Sequence, residues 1–264
     1  MSPNPGEAYK CGRGTAGKGE TVVALQLEEL GTVLGVWAHP DDEAYLSAGI
    51  MGALREAGHR VEVATATYGE HGTADPERFP PEELAAVRRD ELCASLKLAG
   101  VDDHHWLGFA DGSCATVGSG VGHAGVAEVI AEVKPDTILT FGPDGMTGHP
   151  DHRNVSAWTA AAWRTRGRRE RLLYATLTPG FHEEWGDLNE RVGLWMSGSG
   201  PVTPEHELAV YVELAGAALD RKIAAVRAHA SQASELVDLV GPDTFRRWWS
   251  AEAFVAAEPG LVGG

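Results

Sequence analysis

Cysteine is scarce: Cys11, Cys93 and Cys114 are scattered, odd in number, and form no CxxC pair. That excludes a disulfide scaffold and a thiolate metal cluster, and it predicts a reduced, cytoplasmic protein. Basic charge is also short, with 22 Lys and Arg against 38 Asp and Glu and a formal net charge of −16. Nucleic acid and anionic membrane surfaces both reward basic patches, so neither is an expected partner. No apolar run approaches the ~18 residues that span a bilayer. The opening MSPNPGEAYK lacks the charged-then-apolar pattern of a secretion signal. No internal repeat is visible, and no GxGxxG follows the first apolar run, which argues against a dinucleotide-binding protein.

What is present is an alternation. Residues 1–25 are rich in Gly and Pro without periodicity and read as a flexible tail, leaving 26–264 as one domain. Runs at Thr32–Ala38, Val61–Thr67, His104–Phe109, Asp136–Phe141 and Arg171–Leu177 read as strands, the first of them short, apolar and β-branched as a strand buried on both faces requires. Helical patterns separate them: one after Pro40 ending near Gly58, then Pro81–Leu98, Ala124–Val133 and His152–Arg166. This spacing predicts βαβ units and a three-layer α/β/α, Rossmann-like fold with a mainly parallel sheet. The last third is less regular: a strand at Leu208–Leu214, a helix at Asp220–Ala230, and an edge strand around Phe254. Trp248 and Trp249 are expected to be buried in that C-terminal packing.

The densest chemistry is AHPDDE, Ala38 to Glu43, at the carboxyl end of the first strand, where open parallel sheets bind ligands. Helix capping accounts for one acid there. It does not account for a histidine and three consecutive acids, whose mutual repulsion calls for a cation. GHPDH, Gly148 to His152, follows the fourth strand on the same sheet edge. The two loops therefore bring together His39, Asp41, Asp42, His149, Asp151 and His152. Imidazole and carboxylate without thiolate suit Zn²⁺, with Fe²⁺, Mn²⁺ or Co²⁺ as substitutes. An open catalytic site uses three protein ligands and leaves one vertex for water. His39, Asp42 and His152 make such a set, with His149 standing free. If His149 also bound, the site would be closed and structural. Asp41 favours the open form, since it would otherwise be an uncompensated acid beside a sealed ion.

AHPDDE with HPDH far downstream resembles the PIG-L/LmbE-like family of zinc-dependent N-deacetylases. TYGEHG (Thr67 to Gly72), RRDEL (Arg88 to Leu92), LGFADG (Leu107 to Gly112) and HASQ (His229 to Gln232) fit the same pattern. The resemblance implies that His39, Asp42 and His152 hold the metal, Asp41 is the general base and His149 stabilises the oxyanion. It implies further that Asp151 orients His149, and that Arg88, Asp111 and Glu70 lie at the sugar. The implied substrate is a small N-acetylated sugar or glycoconjugate of the N-acetylglucosamine type. Alternatives are an amidase acting on a thiol conjugate and a metal-dependent binding homologue without turnover. A homo-oligomer is compatible with the sequence. Which of Asp41 and His149 protonates the leaving amine stays open at this point.

Overall fold

The computed structural model describes residues 9–10, 27–73 and 75–257. Apart from Tyr9 and Lys10, the tail expected at 1–25 lies outside the described residues. Eight strands form one sheet: β1 (Tyr9–Lys10), β2 (Val33–Trp37), β3 (Val61–Thr67), β4 (Asp103–Phe109), β5 (Thr137–Phe141), β6 (Arg171–Thr176), β7 (Leu208–Leu214) and β8 (Ala251–Ala256). Their order is β1-β7-β8-β6-β5-β2-β3-β4. The five strands from β6 to β4 are parallel, and β8, β7 and β1 extend the sheet in antiparallel fashion. β2, β3 and β5 are buried along their whole length, as their continuous apolar runs require.

The helices are α1 (Asp42–Glu56), α2 (Pro81–Leu98), α3 (Ser119–Val133), α4 (Pro150–Thr165), α5 (Pro179–Val192), α6 (Gly216–Ala228), α7 (Ala230–Val240) and α8 (Pro242–Trp248). α1 and α2 pack on α6, whereas α3 packs on α4. Right-handed crossovers running outward from β2 place α1 and α2 on one face, and the return through α3 and α4 covers the other. The fold is the expected three-layer α/β/α arrangement. Leu34, Trp37, Ile50, Leu54, Leu92 and Phe141 are fully buried in its centre. A second apolar cluster joins Trp185, Leu188, Val226, Phe245, Trp248 and Trp249 beneath the C-terminal helices.

The strand order reverses direction between β2 and β5, and ligands bind outside the carboxyl ends of strands at such a switch point. AHPDDE leaves β2 and HPDH follows β5, so topology alone brings the two motifs together.

Candidate metal centre

His39 ends the β2 turn, and its backbone N–H donates to Asp42 Oδ2 at 2.8 Å, which folds the Asp42 carboxylate back over the strand end. His152 lies in the first turn of α4, where its Nδ1 donates to Gly145 O at 3.0 Å and its ring stacks on Phe141 at 4.1 Å between centroids. Donor atoms of three residues converge here, with the two oxygens of Asp42 facing one histidine each. His39 Nδ1 is 3.1 Å from His152 Nε2, His152 Nε2 is 3.4 Å from Asp42 Oδ1, and Asp42 Oδ2 is 3.6 Å from His39 Nδ1. Ligand atoms about 2.1 Å from a tetrahedral divalent ion lie ~3.3–3.5 Å apart, so the triangle has the dimensions of a metal face. All three residues are buried.

The protonation pattern agrees with that fit. His39 Nε2 faces Asp111 Oδ1 at 3.1 Å and Asp151 Oδ2 at 3.3 Å, so a proton belongs there. His152 carries its proton on Nδ1, toward Gly145. Two lone pairs then point at each other beside a carboxylate, and a shared positive charge must separate them. Without an ion that charge is a second proton on His39. Burial opposes it, but hydrogen bonds to Asp111 and Asp151 and the charge of Asp42 outweigh burial and raise the pKa to about 10. A divalent cation replaces that proton, and the carboxylates on Nε2 then orient and enrich the ligand.

Asp41 sits between the metal-side residues with φ 115° and ψ −30°, a conformation that costs a non-glycine residue about 1–3 kcal/mol. The surroundings hold it there. Its N–H donates to Glu43 Oε2 at 3.0 Å, and Arg88 donates to its Oδ2 at 3.1 Å. Arg88 also bonds to Pro40 O and Gly69 O. Gly69 lies at φ +65°, and a Cβ there would come within 2.2 Å of the guanidinium, so glycine is required for that approach. Glu43 is in turn fixed by His229 Nε2 at 2.9 Å and by Ser95 Oγ at 3.2 Å, all fully buried. Burial pushes the Asp41 carboxyl up to about 6, with Arg88 pulling it back.

His149 is the N-cap of α4, and its Nδ1 accepts the backbone N–H of Asp151 at 3.1 Å. The ring proton therefore belongs on Nε2. Burial, and then the charge on His39, lower its pKa and keep it neutral. A cavity of about 400 Å³ lies above these groups, lined among others by His39, Asp41, Asp42, Arg88, Asp111, His149 and His152.

Residues 34–163 match the family model described as PIG-L, GlcNAc-PI de-N-acetylase. The chain is similar to the 1D-myo-inositol 2-acetamido-2-deoxy-alpha-D-glucopyranoside deacetylase of Corynebacterium glutamicum (strain R), with 34% identity over 76% of this chain and 74% of that protein. The chain belongs to the PIG-L deacetylase family. The deacetylase of the same designation from Kineococcus radiotolerans is 31% identical over 82% of this chain and 73% of its own length. In fold, the chain is similar to the N,N'-diacetylchitobiose deacetylase of Pyrococcus horikoshii, with a TM-score of 0.62, 23% identity and coverage of 90% and 88% of the two chains.

Two side chains of this PIG-L protein act on neighbours other than those expected from its motifs. The Asp151 carboxylate accepts from Gly112 N at 2.8 Å and Cys114 N at 3.1 Å and reaches His39; it is the Asp151 backbone that meets His149. The reason is its place in the first turn of α4, from which the side chain points to the loop after β4. Glu70 is not among the residues lining the cavity. Its Oε1 accepts the N–H of Asp111 at 2.9 Å, so it braces the Asp111 loop instead of presenting a carboxylate to a ligand. Arg88 and Asp111 do line the cavity, each already paired with a neighbour, Asp41 and His39 respectively. Glu43 and His229 stand within the AHPDDE and HASQ motifs, where the sequence alone reads a first-turn acid and a helix-end histidine; their pairing is visible only in the fold. Trp248 is buried as expected, while Trp249 also borders the cavity.

Proposed function

We propose that this PIG-L protein is a zinc-dependent N-deacetylase of an N-acetylglucosamine-type sugar, with His39, Asp42 and His152 as the metal ligands. The observation that carries this reading is the donor triangle with the clamped carboxylate of Asp41 beside it. The nitrogen and oxygen donors suit zinc, and the relatives are named as deacetylases of a glucosamine derivative. Residues 26–264 act as one deacetylase domain in this reading. Among the described residues no helix is long and apolar enough to cross a membrane. The free thiols of Cys93 and Cys114 support a reducing, cytoplasmic setting.

When bound, the ion acidifies a water molecule and polarises the amide carbonyl. The residues of the chain do the rest. Asp41, ionised above about pH 6, accepts the water proton as oxygen adds to the carbonyl carbon. His149 donates its Nε2–H to the oxygen that gains negative charge, a contribution of about 3 kcal/mol for one such donor. Asp41 then passes the proton to the departing nitrogen. Neutral His149, bonded through Nδ1 to the backbone and using its Nε2–H at the oxyanion, leaves Asp41 to carry that proton. The test is amine release from N-acetylglucosamine and from its α-linked inositol glycoside, by metal-stripped protein with and without restored Zn²⁺. Zinc-dependent release supports the reading; absence of release from every N-acetyl sugar contradicts it.

A further inference from the structure

The cavity is two-faced. Toward β3 and β4 its wall is polar, with Arg88 and Asp111. Toward β6 it is apolar: Leu177 follows that strand, Phe181 lies in the first turn of α5, and Leu194 and Trp195 follow that helix. These four side chains are only half-buried, so hydrocarbon surface lies open inside the cleft, where contact with water is unfavourable. The apolar wall is also built into the site. Met196 N–H donates to Thr147 O at 2.8 Å, and a Cβ on Gly148 would come within 2.3 Å of Ser197 Oγ. The segment after α5 is thus seated on the turn that delivers His149. The sheet order β6-β5-β2-β3 sets the metal centre, on the β5 and β2 loops, between the two walls.

We propose that the apolar wall is an acyl subsite, and that, alongside N-acetyl sugars, the protein hydrolyses amino sugars N-acylated with a longer hydrocarbon chain and prefers them. The inference rests on the deacetylase reading and specifies its substrate class. The two substituents of a trans amide leave the C–N bond in opposite directions. With the carbonyl at the metal centre, the sugar hydroxyls take the polar wall and the acyl chain runs toward β6. One acetyl methyl group is too small to cover four large side chains. The reaction balances as hydrolysis: the C–N bond breaks, the water oxygen bonds to the acyl carbon, and both water protons end on the amine, leaving a carboxylate and an ammonium sugar.

The experiment uses N-acetyl-, N-butanoyl-, N-hexanoyl- and N-octanoylglucosamine. Hydrolysis is followed with zinc-loaded protein, and binding is followed by calorimetry with metal-stripped protein. The expected result is a rise of about fourfold per added methylene in both kcat/KM and affinity through the hexanoyl compound. In Phe181→Ala and, separately, Trp195→Ala, the octanoyl-to-acetyl ratio falls at least threefold, with folding checked by thermal melt. A flat series, or acetyl as the best substrate, overturns the subsite and leaves the deacetylase reading intact. Alkyl glycosides of N-acetylglucosamine form a second arm. A chain-length gain there, with none in the acyl series, assigns the wall to the aglycone and overturns the proposal. A gain in binding with hydrolysis of no member upholds the subsite and overturns the deacetylase reading instead.

Discussion

Asp41 is held at φ 115° by a buried chain of contacts that runs from His229 through Glu43 to its own N–H. Strain of this kind belongs to the position, not to the fold, and glycine removes it. Asp41→Gly and Asp41→Ala lose the same bond to the buried Arg88, but only glycine relieves the strain, so Asp41→Gly is expected to be about 1–3 kcal/mol more stable than Asp41→Ala, while turnover falls by at least about 100-fold in both. Equal stability of the two variants would show that the conformation is not strained. The pH profile follows from the same residue. As the proposed base, Asp41 acts only when ionised; burial raises its pKa to about 6, and a bound cation would add to the opposing pull of Arg88. The acid limb of kcat/KM is expected at or below pH 6, and Arg88→Met is expected to move it upward; a downward shift would remove Arg88 from the electrostatics of the base. At this scale the ligand-type residues were legible in AHPDDE and HPDH, because His and Asp crowded at strand ends have few other uses. The partners of Asp151 and Glu70 were not legible, since both depend on where the loop after β4 comes to lie.

Helix α1 carries Asp42 at its first turn and is gripped at its middle. Glu252 on β8 accepts the N–H groups of Gly49 and Ile50, each at 2.8 Å, and lies 3.0 Å from Lys222 Nζ on α6. Both side chains are fully buried, and burial lowers the Lys222 pKa. Removing one partner strands the other charge in the core. Glu252→Ala is expected to cost about 3–5 kcal/mol in urea unfolding, and adding Lys222→Met is expected to recover part of that loss. Equal stability of the single and double variants would deny the coupling. The strands β2 and β5 were legible as elements because buried parallel strands read as near-continuous apolar runs, whereas β4, half-buried at the sheet edge, carries no such run. Helix α5 was missed: Pro179 and Gly180 precede, and Gly186 interrupts, a stripe of Phe181, Trp185, Leu188 and Val192 that has helical spacing. Helices α7 and α8 were hidden in the same way by Gly241 and Pro242 at their junction.

Across the whole molecule, the Glu43–His229 pair links the C-terminal helices to the β2 loop and makes stability depend on pH. Burial alone would raise the Glu43 pKa, yet His229 lowers it below its ordinary 4.5, so its contribution is present above 4.5 and is lost as pH falls through the lower value. Burial alone would lower the His229 pKa, yet Glu43 raises it above 6.5, so its contribution is present below 6.5 and is lost as pH rises through the higher value. In metal-free protein, the stability gap between wild type and His229→Gln is expected to be widest between pH 4.5 and 6.5. A gap that does not change with pH would mean the pair is not ionised. The sheet order, by contrast, explains why so much of the site could be anticipated: β2 and β5 are neighbours at the point of reversal, so motifs distant in sequence meet without help from any loop. In the proposed site those two strand ends share one divalent ion while Asp41 stays off it. Titration of metal-stripped protein with Zn²⁺ is expected to show about one tightly bound ion in wild type and in Asp41→Ala, and loss of that ion in His152→Ala. Failure of wild type to bind, or full binding by His152→Ala, would rule the shared ion out.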